Sequence, residues 1–269
     1  MLKIPEFQNK EDLFAFLIDK KSDLMAQKMN TVKFADGVGV SLDADVIDGP
    51  TTKAEPTTTS ETQIQVRAVI NTTNLMDSHK DVHLPGLWTK SLKENKRIMH
   101  IQEHQSSSFE KIISSGDDLK ASTKTMSWKS LGFNAEGNTQ ALVFDSTVKA
   151  SRNKFMFDLY KDGHVDNHSV GMRYVKISMA INSDDDAYIT EKAVWDKYYP
   201  EIANNKEADN TGYFWAVTEA KVIEGSAVPM GSNPITPTIS IKTEPSLDTQ
   251  QKEAAKALQI KREFLLTLK

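Results

Sequence analysis

Alternation of apolar and polar positions dominates the middle of this chain, while helical spacing marks its two ends. Over 9–29, Leu13, Phe14, Leu17, Leu24 and Met25 recur at helical spacings, with Asn9 placed to cap the helix and Asp12 in its first turn. The stretch 45–62 (DVIDGPTTKAEPTTTSET) has prolines and threonines without apolar periodicity and reads as a linker. From 63 onward QIQVRAVI alternates and is rich in β-branched residues, as a half-buried strand should be. Strand patterns recur at 97–104 (RIMHIQEH), 119–128 and 140–149, with a short helix predicted after Pro85 and Gly86. A helix starting at Ser151 as N-cap carries Phe155, Met156, Leu159 and Tyr160 and ends at Gly163, since glycine readily takes the left-handed C-terminal conformation. Strands follow at 165–181 and 213–228, separated by a charged helical insertion. After GSNPITPTISIKTEPS, a second linker, the stretch from Asp248 to Leu268 reads as an amphipathic helix with Ala254, Leu258, Phe264, Leu265 and Leu268 on one face.

These patterns divide the chain into a helical extension and linker (1–62), a strand-rich domain (63–238, with 178–212 as its insertion) and a linker with an amphipathic helix (239–269). By themselves they support an α+β fold with a strand-rich centre. Apolar residues at 39% of 269 allow a core that needs no covalent staples. The absence of cysteine excludes disulfides, thiolate metal sites and cysteine nucleophiles. A net charge of −4 argues against a nucleic-acid partner, because such surfaces need dense Lys and Arg to displace counterions. No apolar run approaches the roughly 20 residues that span a bilayer, and MLKIPEFQNKEDL lacks a secretion-signal pattern. The expectation is a soluble intracellular protein without a membrane partner.

The six histidines fall into three i,i+4 pairs: His79/His83, His100/His104 and His164/His168. On a helix that spacing lets two imidazoles share a zinc ion. On a strand the two rings stand about 13 Å apart, too far for one metal. A zinc-dependent hydrolase is therefore a lesser alternative, and no metal or cofactor is assigned. A serine hydroxyl paired with a neutral imidazole is the other chemistry these residues offer, because the hydroxyl needs a base to take its proton as it attacks. Taken bare, Ser169 in NHSVGM is one serine among many.

Four motifs, in order, resemble those of the prohead serine proteases of tailed phages. DSHKDVHLPGLW, from Asp77 to Trp88, matches an acidic stretch leading through Pro-Gly to an aromatic. RIMHIQEH matches a strand with the active-site histidine, here His104, as its last residue. DLYKDGHVDNHSVGM matches a glycine-ended helix followed by the nucleophile strand, with Ser169 and Gly171 in its Ser-x-Gly pattern. IEGSAVPMGSNP matches a Glu-x-Ser-x-Val core and its Asn-Pro loop through Glu224, Ser226, Val228, Asn233 and Pro234. The resemblance covers roughly 63–238. Two features depart from the pattern: HQSSSFEKI follows the histidine in place of an Asp and a Pro-Ile-Gly-like run, and 178–212 is inserted. The first leaves His100 as an alternative base.

The resemblance implies a β-barrel-like core with surrounding helices, similar to herpesvirus assembly proteases. It implies acyl transfer, with Ser169 as nucleophile and His104 as general base. Glu224 is the expected third residue, orienting the imidazole. Backbone N–H groups near Gly171 are candidates for the oxyanion site, with Arg173, expected on the Ser169 face, as a possible helper. His168 is expected to point away from the site, and Asp77, His79, Asp81 and His83 to shape a loop. Trp88, Trp195 and Trp215 are read as packing aromatics. The implied substrates are scaffold and major capsid proteins and the protease itself, inside the prohead in the infected bacterial cytoplasm. A homodimer is plausible by the same analogy. The non-enzymatic alternative is a capsid assembly or scaffolding protein of the same fold.

Overall fold

The computed structural model describes residues 4–33, 62–95 and 97–243. The linker expected at 45–62, up to residue 61, and the amphipathic helix expected from Asp248 to Leu268 lie outside the described residues. Among the described residues, the strands form two sheets. In the first, β1 (Val32–Lys33), β8 (His168–Ile181), β9 (Tyr213–Ala227), β4 (Met99–Gln102) and β5 (Ile112–Ser115) lie side by side, with β3 (Asp81–His83) also against β9. In the second, the order is β10 (Thr238–Thr243), β2 (Gln63–Thr72), β7 (Asn138–Lys149) and β6 (Leu119–Ser127). The architecture is α+β, as the hydrophobic pattern predicts. The core is not a closed barrel: β1 and β5 bound one sheet and β10 and β6 the other.

The alternation in QIQVRAVI explains how the sheets meet. Ile64, Val66, Ala68 and Ile70 of β2 pack with Leu142, Phe144 and Val148 of β7 against Val170, Met172, Trp215 and Val217 of the first sheet. From Val69 onward both faces of β2 are buried, because Trp128, Leu131, Phe133 and Ile235 cover the second. Strand β10 occupies residues read as linker. Its Thr and Ile pattern pairs with the edge of β2, so the folded unit extends beyond 238.

The predicted N-terminal helix is two: α1 (Lys10–Asp19) and α2 (Lys21–Asn30), broken at Lys20. Asn9 caps the first, its Oδ1 accepting from the Asp12 N–H at 2.8 Å. A short helix, α3 (Thr89–Glu94), follows Pro85 and Gly86 as expected. Helix α4 (Lys154–Lys161) is capped by Asn153 rather than Ser151, and Gly163 ends it at φ 74°. The insertion carries α5 (Ile189–Tyr198) and α6 (Asn205–Thr211), with β8 running on to Ile181 before it. No helix among the described residues is long and apolar enough to cross a membrane.

Candidate active site

Strand β9 is the spine of the site. Its antiparallel ladder with β8 places Ser169 opposite Ser226 and Gly171 opposite Glu224. Strand side chains alternate, so these four positions share one face. His168, Val170, Gly225 and Ala227 take the other, toward the second sheet. A Cβ on Gly225 would meet Phe144 and Ile70 of that sheet at 2.5 and 2.8 Å, which confirms the direction.

His104 reaches the Ser169 face by leaving its strand. The expected strand to residue 104 stops at Gln102, and Glu103 and His104 both adopt left-handed φ, 52° and 57°. The Glu103 N–H still bonds the Ala227 carbonyl at 3.0 Å, after which the chain folds back. The imidazole then lies against Glu224, with Nδ1 to Oε1 at 2.6 Å. Ser226 joins both: its Oγ donates to Glu224 Oε2 at 2.7 Å and accepts from the His104 N–H at 3.0 Å. The Glu224 side chain is wholly buried and that of His104 is 8% exposed. A carboxylate takes an N–H, so the neutral ring carries its proton on Nδ1 and its lone pair on Nε2.

Gly171 has a reason that sequence did not supply. A Cβ there would fall 1.9 Å from Glu224 Oε1 and 2.7 Å from its Cδ, so the missing side chain makes room for the carboxylate. Arg173 lies on the Ser169 face, as expected. The bulge between Gly171 and Met172 puts its extra residue, Ile223, on β9, so the alternation of β8 runs unbroken through Ser169, Gly171 and Arg173, which pairs with Lys221. Its side chain is exposed.

His100 is separated from Ser169, because the two left-handed residues break the alternation that would have put it beside His104. Its ring points between the sheets, edge-on to Phe144, with Nδ1 2.9 Å from Ser146 Oγ and Nε2 3.1 Å from the Tyr160 hydroxyl. The same hydroxyl lies 2.9 Å from His168 Nε2, and His168 Nδ1 lies 2.9 Å from the Thr236 carbonyl. That carbonyl can only accept, which orients the whole chain of bonds. His168 donates from Nδ1, Tyr160 donates to His168, His100 donates from Nε2 to Tyr160, and Ser146 donates to His100. Burial, with the nearby His168 adding to it, holds His100 well below the usual imidazole range. Burial likewise brings His168 down to about 4, against smaller upward effects of the Thr236 bond and Asp166. Both rings are neutral structural groups, as expected for His168.

The acidic motif forms a buried knot. Asp77 Oδ1 accepts from the N–H of His79 and of Asp81 at 2.8 and 3.0 Å, which shapes the loop as expected. The ligand atoms of Asp77, Asp81 and His83 lie within 4.8 Å of one another. Asp81 already binds the Lys28 ammonium at 2.6 Å and accepts from the Tyr174 hydroxyl, so a cation is in place. Trp88, Trp195 and Trp215 are buried. No protein-family model matches this chain, and neither the curated proteins nor the solved structures give a match.

Proposed function

We propose that this chain is a serine endopeptidase of the prohead-maturation kind, with Ser169 as nucleophile, His104 as base and Glu224 as the residue that orients it. The observation carrying the reading is the 2.6 Å contact of His104 Nδ1 with Glu224, on the sheet face that bears Ser169. Residues 104, 169 and 224 come from the end of β4, β8 and β9 respectively, and this order of histidine, serine and carboxylate is the one the motifs suggested. In the proposed reaction His104 Nε2 takes the Ser169 proton as Oγ attacks a peptide carbonyl, and the imidazolium is stabilised by Glu224. The proton then passes to the leaving amine, and water repeats the cycle on the acyl-enzyme. Backbone N–H groups of β8 beside Ser169 are the candidate oxyanion donors. The substrates would be scaffold and major capsid proteins and the chain itself, within a prohead in the infected bacterial cytoplasm. Homodimerisation and kinship of the fold with herpesvirus assembly proteases belong to the same proposal.

Ser169 is only 2% exposed, which favours a second reading: an assembly protein that keeps the fold without the activity. Co-expression with the capsid and scaffold proteins separates the two. Under the protease reading, Ser169→Ala and His104→Ala each abolish processing, and a fluorophosphonate labels Ser169 in the wild type alone. Unchanged processing in both variants leaves the assembly role. Loss of processing with a chelator, without labelling at Ser169, points to the zinc-dependent alternative.

A further inference from the structure

We propose that Ser226 is a positioning residue, whose hydroxyl fixes the His104 main chain and the Glu224 carboxylate in one closed ring of hydrogen bonds. The inference rests on the protease reading and adds a fourth residue to it. The ring runs from His104 Nδ1 to Glu224 Oε1, from Glu224 Oε2 to Ser226 Oγ, and from Ser226 Oγ to the His104 N–H. Ser226 Oγ serves two of the three contacts, while Glu224 and His104 each use two different atoms. The carboxylate gives one oxygen to the imidazole and the other to the hydroxyl, so its plane and both its lone-pair directions are constrained.

A hydroxyl is well matched to this place because it donates to an anion and accepts from an N–H at once. Ser226 is fully buried, and β9 holds it by pairing with Ser169 on one side and Ile101 on the other. His104 needs such support. A non-glycine residue at φ 57° is in a sparsely populated conformation that persists only where the surroundings over-determine it. The bond from its N–H to Ser226 ties that conformation to the same strand that carries Glu224. Ser226 therefore acts on His104 through both its backbone and its ring partner, without itself meeting the substrate.

Two measurements on the full chain test this. The first is the His104 Nδ1 proton in NMR spectra, which should resonate far downfield in the wild type and vanish in Glu224→Gln. The second is fluorophosphonate labelling of Ser169, split into reagent affinity and maximal rate. Ser226→Ala should shift or broaden the resonance and slow the maximal rate by about ten- to a hundredfold at unchanged affinity, as loss of alignment does. Ser226→Thr, which keeps the hydroxyl, should restore both. Should the alanine variant not fold, Ser226→Cys, with a weaker donor in the same space, should show the intermediate effect. A resonance and rate unchanged in Ser226→Ala or Ser226→Cys overturn the proposal. If the wild type itself is not labelled, the protease reading fails, while the proton resonance still decides whether Ser226 positions His104.

Discussion

Two glycines on adjoining strands separate chemistry from packing at the level of single residues. A methyl on Gly171 would strike the Glu224 carboxylate, whereas one on Gly225 would strike Phe144 and Ile70 in the core. Gly171→Ala is expected to displace Glu224 from His104 and to depress Ser169 labelling about as far as Glu224→Gln does. Gly225→Ala should instead cost about 1–3 kcal/mol of stability by overpacking, with the His104 Nδ1 resonance kept. Urea melts and labelling of both variants check the contrast, and equal labelling losses would refute it. The Ser-x-Gly pattern was legible in the sequence, but its physical reason was not. It depends on a carboxylate 53 positions away in sequence (224 minus 171), brought opposite by register. Arg173 was placed by simple alternation, which holds because the bulge at Ile223 falls on the partner strand. His104 was found through its motif and not its strand, since its two left-handed residues leave no mark in composition.

Among elements, the hydrogen-bonded chain Ser146–His100–Tyr160–His168–Thr236 joins β7, β4, α4, β8 and the loop before β10. Every ring nitrogen in it is committed, so a proton added to either histidine turns an acceptor into a donor facing another donor. The titratable groups near each ring are the other ring, Tyr160 and Asp166. The sign follows from the depressed value. A neutral histidine at about 4 in the fold and near 6.5 when unfolded lets the unfolded state bind more protons between those values. Its stabilisation is complete above about 6.5 and is lost as pH falls toward 4. His168 alone should make the protein about 2 kcal/mol less stable at pH 5 than at pH 7, with His100 acting in the same direction. Urea unfolding at the two pH values measures it, and equal midpoints would sink the claim. Tyr160→Phe, which strips a partner from both rings, should cost about 3 kcal/mol at pH 7. None of this was visible in the i,i+4 histidine spacing, because the two rings that meet come from different pairs. Periodicity located β2, β6, β7, β8 and β9 well, where runs were long. It missed β3, β5 and β10, which are short or rich in Thr and Pro-flanked, and are strands because a neighbouring edge accepts them.

For the whole molecule, the N-terminal helices are part of the domain and not an appendage on a tether. Leu17 is fully buried, Phe14 and Leu24 nearly so, and all three belong to the main core cluster. Phe14 lies edge-on to Tyr188 at 6.0 Å, Lys10 donates to the Asp209 carbonyl, and Lys21 pairs with Glu191. The insertion thus supplies much of the surface on which α1 and α2 sit. Lys28 reaches further, to the wholly buried Asp81 carboxylate, with its ammonium 5.3 and 5.5 Å from the Tyr174 and Trp215 rings. Strand β1 adds backbone bonds to β8 at Met172 and Arg173. The helical pattern of 9–29 was legible, but its docking was not, because its partners in the insertion lie some 170 to 200 positions later. Cleavage anywhere in 34–61 is therefore expected to leave the piece bearing residues 4–33 bound to the rest. A single engineered cleavage site in that stretch tests it: after cutting, the two pieces should co-elute in gel filtration at micromolar concentration and separate only in denaturant. Leu17→Ala, which removes a fully buried side chain at a cost of about 2–5 kcal/mol, should release the small piece from the cut protein while the uncut chain stays folded. Separation of the wild-type pieces under native conditions would show that the helices are a detachable leader after all. If they co-elute, any self-processing in this stretch relaxes a covalent constraint and leaves the Lys28–Asp81 pair, and the sheet that carries Ser169, in place.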